Sequence, residues 1–379
     1  MRRSNIGARD MKIGIIGLNV NNLELNYGTL LHSWAFIRYL EKEGIAQYKD
    51  VEVINYYPRH SLGMIRKYPI IYYTKAHMWK RVLKSAFYIH EYAKRYELFE
   101  AFKNTRLRIS KEYYPSTIDD AELPYDTIVV EADTVWSKLE GQFEPAFFLA
   151  SKSMSNIKKI AYAPDTGVPE IDDSDKAIMT KMISNIDYVS SRGFHPKKLI
   201  EQCTNKVVDV VVDPTLLIEA ADYDTIASPR IMNDKYILLY HVGYDKNMIS
   251  AVKKYAIENN FKILELTSRV RKDSVFKFDR KNYIRGIEDF VSAVKHAECV
   301  FTNSFHGICL SLVYKKDFYA FVRKGYKIQD LCKMAGLSNR VVDNCEWMPM
   351  GSIDYTQVDV ELQPWISKSQ AWIKTAIES

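Results

Sequence analysis

The sequence predicts an α/β fold with two Rossmann-like parallel-sheet domains that face a cleft, and with a helical insertion in the first domain. Three observations lead to this prediction. Strand-like and helix-like segments alternate along most of the 379 residues, as they do in successive βαβ units. The apolar runs are nearly continuous, as expected for strands that are buried on both faces. A polar stretch at residues 219–234 divides the alternation into two parts.

The first domain is predicted to span residues 11–230. It opens with MKIGIIG as a buried strand, and TLLHSWAFIRYLEKEG follows with apolar residues at helical spacing and a glycine suited to a C-cap. The further strands are predicted at VEVINYY, DTIVVEA, KKIAYA, IDYVSSR and KVVDVVVDP. Residues 1–10 are interpreted as a loose leader, and no signal peptide is recognised in them.

Residues 60–112 interrupt the alternation and are predicted to form the helical insertion. Apolar and aromatic residues recur three or four positions apart, at Trp79, Leu83, Phe87, His90, Ala93 and Tyr96. His90 on this stripe is interpreted as a core histidine rather than a ligand. Residues 57–114 hold 13 Lys and Arg against four Glu, a local charge of +9, with nine tyrosines. This composition favours either a solvated helix face or an anionic partner: nucleic acid, an acidic membrane surface or a phosphorylated glycolipid.

The second domain is predicted for residues 231–363, followed by a helix at residues 364–379 that is able to pack back on the first domain. Its strands are predicted at YILLYHVG, FKILELT, CVFTNS and FYAFV. The five cysteines form no CxxC pair and no cluster with histidines, so neither disulfides nor a metal site is predicted. No apolar stretch approaches the roughly 20 residues of a membrane span. These features favour the cytoplasm.

Polar residues follow the predicted strands, at the edge where parallel sheets bind ligands. Asn26 and Gly28 come after the first strand, at a helix start whose N–H groups suit a phosphate or carboxylate; plain turn chemistry is the alternative. No GxGxxG pattern or Walker-type lysine accompanies them. Glu131 and Asp133 after DTIVV are candidates for acid or base chemistry or for binding sugar hydroxyls, with an Asx-type turn as the alternative. Trp136 is interpreted as packed rather than as a sugar platform.

Two more strands end in candidate residues. Arg192 directly follows YVSS, where a guanidinium suits a carboxylate or phosphate; a surface ion pair is the alternative. The stretch TNSFHG places His306 in the first turn of a helix, whose dipole lowers the pKa and leaves a neutral imidazole able to act as a base. A bound anion would raise that pKa and make the imidazole an acid. Capping or packing is the alternative for His306, while Asp213 is interpreted as a turn residue and His32 as structural.

Several stretches, taken in order, resemble the polysaccharide pyruvyl transferases, which transfer the enolpyruvyl unit of phosphoenolpyruvate to a sugar and close it to a cyclic ketal. These stretches are NYGTLLHSWAF, YDTIVVEADTVW, FFL, KKIAYAPDTG, VSSRG, VVVDPTLL, GIEDFVSAVKHAECVFTNSFHGICLSLVYKKDFYAF and LSNR. They span about residues 11–340, and TNSFHG with its apolar flanks is the most specific. The resemblance implies a GT-B-like fold.

The chain departs from the family pattern at several positions. Ser304 stands where many members have an arginine, although a capsule-related branch also carries Ser-Phe-His-Gly. Glu131 and Asp133 lie in Glu-Ala-Asp where Gly-Ser-Asp is frequent, and Gly193 replaces an acid. These departures predict an altered acceptor site.

The family histidine corresponds to His306, which is predicted to be the general acid or base. The family arginine corresponds to Arg192, predicted to bind the carboxylate or phosphate of the donor, and Asp133 is a candidate base for a sugar hydroxyl. The predicted substrate-binding residues are Asn26, Gly28, Glu131, Asn303, Ser304 and Gly307. No metal and no cofactor is expected beside phosphoenolpyruvate as donor substrate.

The implied acceptor is a sugar of a capsular or extracellular polysaccharide, or of its lipid-linked oligosaccharide precursor. A cytoplasmic protein would reach that precursor at the inner face of the membrane. Residues 57–114 are a candidate segment for a peripheral contact with that membrane. No nucleic-acid partner is expected. Two alternatives stay open. One is a GT-B glycosyltransferase that uses a nucleotide sugar, and the other is a non-catalytic subunit of a polysaccharide assembly complex.

Overall fold

The computed structural model describes residues 11–21, 25–59, 79–267, 285–322, 325–343 and 347–379. These residues form two parallel β-sheets with helices packed on both faces. The predicted leader at 1–10 and residues 60–78 of the predicted insertion lie outside the described residues. Within the described ranges, no helix combines the length and the apolar character that a membrane span requires.

The first sheet has seven strands, and every pairing between them is parallel. The strands are β1 Ile13–Ile16, β2 Val51–Tyr56, β3 Ile109–Tyr113, β4 Thr127–Glu131, β5 Lys158–Tyr162, β6 Tyr188–Ser191 and β7 Asp209–Val210. Their spatial order is β3-β2-β1-β4-β5-β6-β7. All residues of β1 and β4 are buried, which explains why these central strands are continuous apolar runs rather than alternating ones.

The second sheet has five parallel strands in the order β12-β11-β10-β8-β9. These strands are β8 Tyr236–His241, β9 Lys262–Thr267, β10 Cys299–Thr302, β11 Asp317–Phe321 and β12 Val341–Val342. The two sheets, each with its crossover helices, confirm the predicted pair of Rossmann-like domains. The first sheet ends at Val210 and the second begins at Tyr236; the predicted limit at residue 230 lies between them and stays a prediction.

The helices are α1 Tyr27–Lys42, α2 Trp79–Phe87, α3 Ile89–Arg106, α4 Asp173–Ile183, α5 Phe194–Glu201, α6 Ala220–Asp224, α7 Lys246–Glu258, α8 Ile287–Lys295, α9 Phe305–Val313, α10 Lys327–Met334 and α11 Tyr355–Glu378. α1 and α9 start at the cleft, and each begins with a side-chain cap. Asn26 accepts a hydrogen bond from the backbone N–H of Gly28, and Ser304 accepts one from the N–H of Gly307.

The predicted insertion at 60–112 is only partly helical. α2 and α3 are helices, but residues 109–113 form β3, an edge strand of the first sheet. Ile109 pairs with Val53 and Tyr113 with Tyr56. Pairing with the free edge of β2 therefore overrides the helical pattern at the end of this segment, since β-preference depends on the neighbouring strand more than on the local sequence.

The buried face of the insertion also differs from the predicted stripe. The buried residues of α3 are Glu91, Arg95, Phe99 and Phe102. His90 is exposed, so the prediction of a core histidine is wrong. The periodicity assumed one continuous helix, whereas the chain breaks at Tyr88 (φ −111°, ψ 24°) between α2 and α3. Because of that break, α2 and α3 do not share one continuous stripe that faces the domain.

The C-terminal helix α11 is longer than predicted and contacts the first sheet. It begins at Tyr355 and continues through Pro364, whereas the predicted helix started at that proline. Ser369 accepts a hydrogen bond from the N–H of Val212 at 2.9 Å. The ring of Trp372 lies 5.9 Å from that of Tyr162 on β5. The last helix of the chain thus packs on the first sheet.

Candidate active site

The strand orders place one switch point in each sheet. In the first sheet the order reverses between β1 and β4, and in the second between β8 and β10. Loops that leave the carboxyl ends of such strands diverge and leave a crevice in which α/β proteins bind ligands. Asn26 and Gly28 follow β1, Asp133 follows β4, and the TNSFHG stretch follows β10. The predicted residues of both domains therefore lie at the two switch points.

Arg192, just after β6, is buried among three carboxylates. Its Nη1 donates to Asp213 at 2.9 Å, and its Nη2 donates to Asp133 and Asp165 at 3.3 Å each. Burial alone would lower the pKa of Arg192, but the three aspartates raise it above its ordinary value. The guanidinium carbon also lies 4.4 Å from the ring centre of Phe305. Arg192 therefore organises the carboxylates of this cluster, and its predicted contact with a donor substrate stays a prediction.

Asp133 stands at a strained turn after β4. Ala132 and Asp133 have φ angles of 47° and 54°, left-handed conformations that cost roughly 1–3 kcal/mol each for residues with a side chain. Hydrogen bonds hold this turn: the N–H of Ala132 donates to the carbonyl of Tyr162, and the N–H of Asp165 donates to the carbonyl of Asp133, both at 2.9 Å. The turn therefore fixes Asp133 and Asp165 beside each other.

Charges from both domains act on Asp133. Lys327, at the start of α10 in the second domain, lies 3.9 Å from Oδ1 of Asp133. Burial alone would raise the pKa of Asp133, but Lys327 and Arg192 hold it well below its ordinary range. Next to Lys327, the hydroxyl of Tyr326 donates to Asp165 at 2.6 Å. These contacts join the start of α10 to the carboxylate cluster of the first domain.

His306 and Arg192 both approach the same oxygen of Asp213. Nε2 of His306 lies 3.7 Å from Oδ2 of Asp213, the atom that accepts the 2.9 Å hydrogen bond from Arg192. Among the described residues, this Nε2 is buried without a hydrogen-bond partner. Burial lowers the pKa of His306 to about 4, although Asp213 and Asp133 oppose the shift. The imidazole is therefore neutral near pH 7, with burial as the largest cause; the predicted effect of the helix dipole stays a prediction.

Gly28 provides the space for this imidazole. A Cβ at residue 28 would lie 2.0 Å from Nδ1 of His306, far closer than van der Waals contact allows. The N–H of Gly28 donates to the side chain of Asn26 at 3.1 Å. A steric role for Gly28 and a capping role for Asn26 are thus evident, while their predicted binding of an anion stays a prediction.

Glu131, the last residue of β4, is fully buried and paired. It accepts a hydrogen bond from the hydroxyl of Ser33, and its Oε2 lies 2.9 Å from Nδ1 of His32. Burial alone would lower the pKa of His32, but Glu131 raises it above its ordinary value. The ring of His32 stacks on that of His306, with 5.9 Å between the ring centres. Glu131 therefore acts on the catalytic candidate through His32, and its predicted contact with substrate remains untested.

The residues around His306 hold the start of α9 in place. The side chain of Asn303 accepts from the N–H of Val242 and donates to the carbonyl of Gly243, both at 2.9 Å. Ser304 caps the helix. A Cβ at Gly307 would lie 2.6 Å from the hydroxyl oxygen of Thr302. These contacts position the loop and the helix, and the predicted substrate contacts of the three residues stay predictions.

Sequence reasoning missed Asp165 and gave Asp213 only half of its role, whereas His32, interpreted as structural, is buried and paired with Glu131. Oδ1 of Asp213 does serve the turn, where it accepts hydrogen bonds from the N–H and the hydroxyl of Thr215, whereas Oδ2 faces Arg192 and His306. The position of Asp165 shortly after β5, at the carboxyl end of a strand, was the signal that could have indicated it.

Trp136 is fully buried, and its Nε1–H donates to the carbonyl of Phe147 at 2.9 Å. The interpretation of Trp136 as packed is confirmed.

The fold and the site define a two-domain α/β protein with a polar cleft in which side chains of both domains surround one aspartate. The model of the family described as polysaccharide pyruvyl transferase matches residues 26–325, which include the residues of the cluster except Tyr326 and Lys327. The chain belongs to the polysaccharide pyruvyl transferase family. It is therefore a transferase whose family acts on polysaccharides, as the resemblance of its TNSFHG stretch indicated.

The comparisons with individual proteins give less information than the family model. No protein with a curated description matches the chain. Similar solved structures include ADP-heptose LPS heptosyltransferase II of E. coli, with 9% identity, 96% of this chain and 99% of that chain covered, and a TM-score of 0.37. UDP-N-acetylglucosamine 2-epimerase from Rickettsia bellii has 11% identity, coverages of 97% and 95%, and a TM-score of 0.47. The wall teichoic acid polymerase TagF has 12% identity, coverages of 98% and 85%, and a TM-score of 0.43. Nothing about function follows from likenesses this distant.

Proposed function

We propose that the protein transfers the pyruvyl group of phosphoenolpyruvate to two hydroxyls of one sugar in a capsular or extracellular polysaccharide, or in its precursor, and closes a cyclic ketal. One observation carries this proposal. Nε2 of His306 is buried without a hydrogen-bond partner among the described residues, at the meeting point of the two switch points. A buried polar atom without a partner is costly, and a substrate that exchanges a proton with it would remove that cost.

The reaction needs one proton at the methylene carbon of the donor and releases one proton from each attacking hydroxyl. His306 is neutral in the free protein because its pKa is about 4. It takes the proton of the first hydroxyl as that oxygen attacks C2, and it delivers a proton to the methylene carbon. Two C–O bonds form at C2 and one C–H bond forms at the methylene, while the bond from C2 to the phosphate oxygen breaks. No oxidant or reductant is required.

The cations of the cluster suit the anionic groups of the donor. Arg192 and Lys327 both reach Asp133, at 3.3 and 3.9 Å, contacts longer than the 2.9 Å between Arg192 and Asp213. The side chain of Asp133 is 14% exposed, whereas those of Asp165 and Asp213 are fully buried. An anionic group of phosphoenolpyruvate is therefore proposed to replace Asp133 as the partner of these two cations.

Such a replacement would change the chemistry of Asp133. Its low pKa depends on Lys327 and Arg192, so the pKa rises when those cations engage the donor. A carboxylate with a higher pKa is a better base for the second hydroxyl of the acceptor. The proton of that hydroxyl then leaves with the phosphate. The same exchange brings negative charge close to His306, which also raises its pKa towards the working range.

The first test compares ligands on the purified full-length protein by thermal shift. Phosphoenolpyruvate is expected to raise Tm, because a ligand that binds only the folded state stabilises it by about 2.7 kcal/mol at a hundredfold excess over Kd. UDP and GDP are expected to have no effect. Stabilisation by a nucleotide alone would indicate a nucleotide-sugar glycosyltransferase. No stabilisation by any of the three would indicate a binding subunit, and either result would overturn the proposal.

The second test measures phosphate release from phosphoenolpyruvate with a panel of simple glycosides as acceptors. His306→Gln is expected to abolish release while leaving the fold intact. His296→Gln is the matched control, because His296 ends α8 away from the cluster and contacts the carbonyl of Ser292. Unchanged release in His306→Gln would remove His306 from the chemistry.

A further inference from the structure

The short helix α2 carries an exposed apolar stripe. Trp79, Leu83 and Phe87 follow one another at four-residue spacing, so they lie along one face of the helix. Their exposed fractions are 62%, 74% and 64%. Other large apolar residues with such exposure, for example Ile257 and Val207, lie on separate elements, and scattered single residues of this kind are normal on protein surfaces. Three of them in line on one helix indicate a contact surface.

The charge of this helix favours an anionic partner. α2 contains Lys80, Arg81 and Lys84 and no acidic residue. It belongs to residues 57–114, whose local charge is +9, while the rest of the chain sums to −3 because the whole chain is +6. A basic helix with Trp, Leu and Phe on one face is typical of segments that lie in the interface of an acidic membrane. A second protein chain would need matching acidic groups, which a bilayer with acidic lipids supplies on its whole surface.

The fold attaches α2 to a helix that is anchored beside the loop before α1. Arg95 on α3 is fully buried and donates to the hydroxyl of Tyr27 at 3.1 Å, the carbonyl of Leu25 at 2.9 Å and the carbonyl of Thr267 at 3.0 Å. It thus ties α3 to the loop before α1 and to the end of β9. Arg95 lies six positions after the first residue of α3, about 9 Å along a helix. Since α2 ends directly before Tyr88 and α3, its stripe is joined to a helix that is anchored beside the loop leading to Gly28.

We propose that α2 binds the surface of a membrane rich in acidic lipids, with Trp79, Leu83 and Phe87 inserted among the lipid headgroups and acyl chains. The contact would present the cleft to an acceptor that is carried on a lipid. That purpose rests on the proposed pyruvyl transfer, whereas the membrane contact itself does not.

Vesicle co-sedimentation of the full-length protein tests the contact without any substrate. The protein is expected to sediment with vesicles of phosphatidylcholine and phosphatidylglycerol, to bind vesicles of phosphatidylcholine alone more weakly, and to lose affinity as salt is added. The double variant Leu83→Ser/Phe87→Ser keeps every charge and removes two apolar side chains. It is expected to bind acidic vesicles at least about tenfold more weakly, given the free energy of burying such side chains.

The matched control is Ile257→Ser on α7, where the side chain is 82% exposed and outside the stripe. It is expected to bind vesicles like the wild type. Brominated lipid provides a second measurement: it should quench part of the tryptophan fluorescence of the wild type, and Trp79→Phe should remove that part. Equal loss of binding in the double variant and the control would overturn the proposal.

The remaining outcomes are also decisive. Failure of the wild type to sediment with acidic vesicles at low salt overturns the proposal. So does unchanged vesicle binding by the double variant combined with a shift from dimer to monomer in analytical ultracentrifugation, because the stripe would then join two copies of the chain. Binding of phosphoenolpyruvate by the double variant in the absence of vesicles should equal that of the wild type. Vesicle binding without phosphoenolpyruvate binding in the wild type would reject the pyruvyl transfer alone.

Discussion

The imidazole of His306 lies against the backbone of Gly28, so closely that a Cβ on residue 28 would stand 2.0 Å from Nδ1. Gly28 is the second residue of α1 in the first domain, and His306 is the second residue of α9 in the second. The contact therefore couples the first turns of two helices that start at the two switch points. It also explains why a glycine is required at this position although no left-handed backbone angle demands one.

Gly28→Ala is expected to displace His306 and to reduce phosphate release by at least about tenfold, because positioned proton transfer contributes about 10²–10⁴-fold. Overpacking should also lower the free energy of unfolding by roughly 1–3 kcal/mol. Gly351→Ala is the control, since a Cβ at residue 351 meets no atom within 4 Å. Kinetics and urea unfolding of both variants measure the effects. Wild-type activity in Gly28→Ala would show that the ring can move without loss of function.

Asp133→Asn separates binding from chemistry. The variant removes the carboxylate that competes with the donor for Arg192 and Lys327, so affinity for phosphoenolpyruvate in calorimetry should be unchanged or higher. Phosphate release should fall by roughly 10²-fold or more, because the base for the second hydroxyl is lost. Asp359→Asn, at an exposed ion pair with Lys315, should change neither quantity. Weaker donor binding in Asp133→Asn would contradict the exchange of partners.

His306 makes folding stability depend on pH. Its folded-state pKa of about 4 lies below the ordinary value of 6.5, so the unfolded state binds the proton more readily. The stability contribution is therefore present above pH 6.5 and declines as the pH falls towards 4. Between pH 7 and pH 5 the wild type should lose about 2 kcal/mol more than His306→Gln, at roughly 1.4 kcal/mol per pH unit below 6.5. Urea unfolding at both pH values measures the difference.

His32 contributes with the opposite sign, because its folded-state pKa is raised. Its stabilisation is present at low pH and is lost as the pH rises through the folded pKa. The contribution of His32 is the same in the wild type and in His306→Gln as long as His32 keeps its pairing with Glu131. It therefore cancels when the pH dependence of the two proteins is compared. Equal pH dependence in wild type and variant would show that His306 is not shifted in the free protein.

Arg192→Lys tests the carboxylate cluster. A lysine keeps the charge but cannot direct N–H groups at three aspartates in the fixed geometry of a guanidinium. The variant is expected to lose about 3–5 kcal/mol of unfolding free energy, the usual effect of breaking a buried ion pair. Arg38→Lys, at a half-exposed pair with Glu41 and a second contact with Asp222, should change stability by less than about 1 kcal/mol. Similar losses in both variants would mean that the buried cluster has no special dependence on the guanidinium.

Much of the architecture could be predicted because burial acts locally on the pattern of residues. The continuous apolar runs of β1 and β4 indicated parallel strands buried on both faces, and polar residues after the strands indicated the binding edge of each sheet. The same logic failed for residues 79–113. There, a break at Tyr88 changed the buried helix face, and the edge of β2 recruited residues 109–113 as a strand. Neither event leaves a periodic signal in the segment itself.

Most of the predicted site residues lie at the switch points and Arg192 follows β6, but their partners could not be predicted. Arg192 meets Asp213, Asp165 and Asp133 at separations of 21, 27 and 59 residues along the chain. A turn residue such as Asp213 has two oxygens, and only one of them serves the turn. The partner of the second oxygen depends on the order of the strands and on the approach of the other domain.

By itself, the sequence determined most of the strands and helices outside residues 79–113, that they form two parallel sheets, and that TNSFHG begins a helix at a strand end. These are consequences of side-chain periodicity and of local capping. Only the tertiary structure decided that Gly28 makes room for His306, that Arg192 gathers three aspartates and that His32 with Glu131 supports the imidazole. Such contacts arise when distant segments share one small volume, where sterics and charge depend on every neighbour at once.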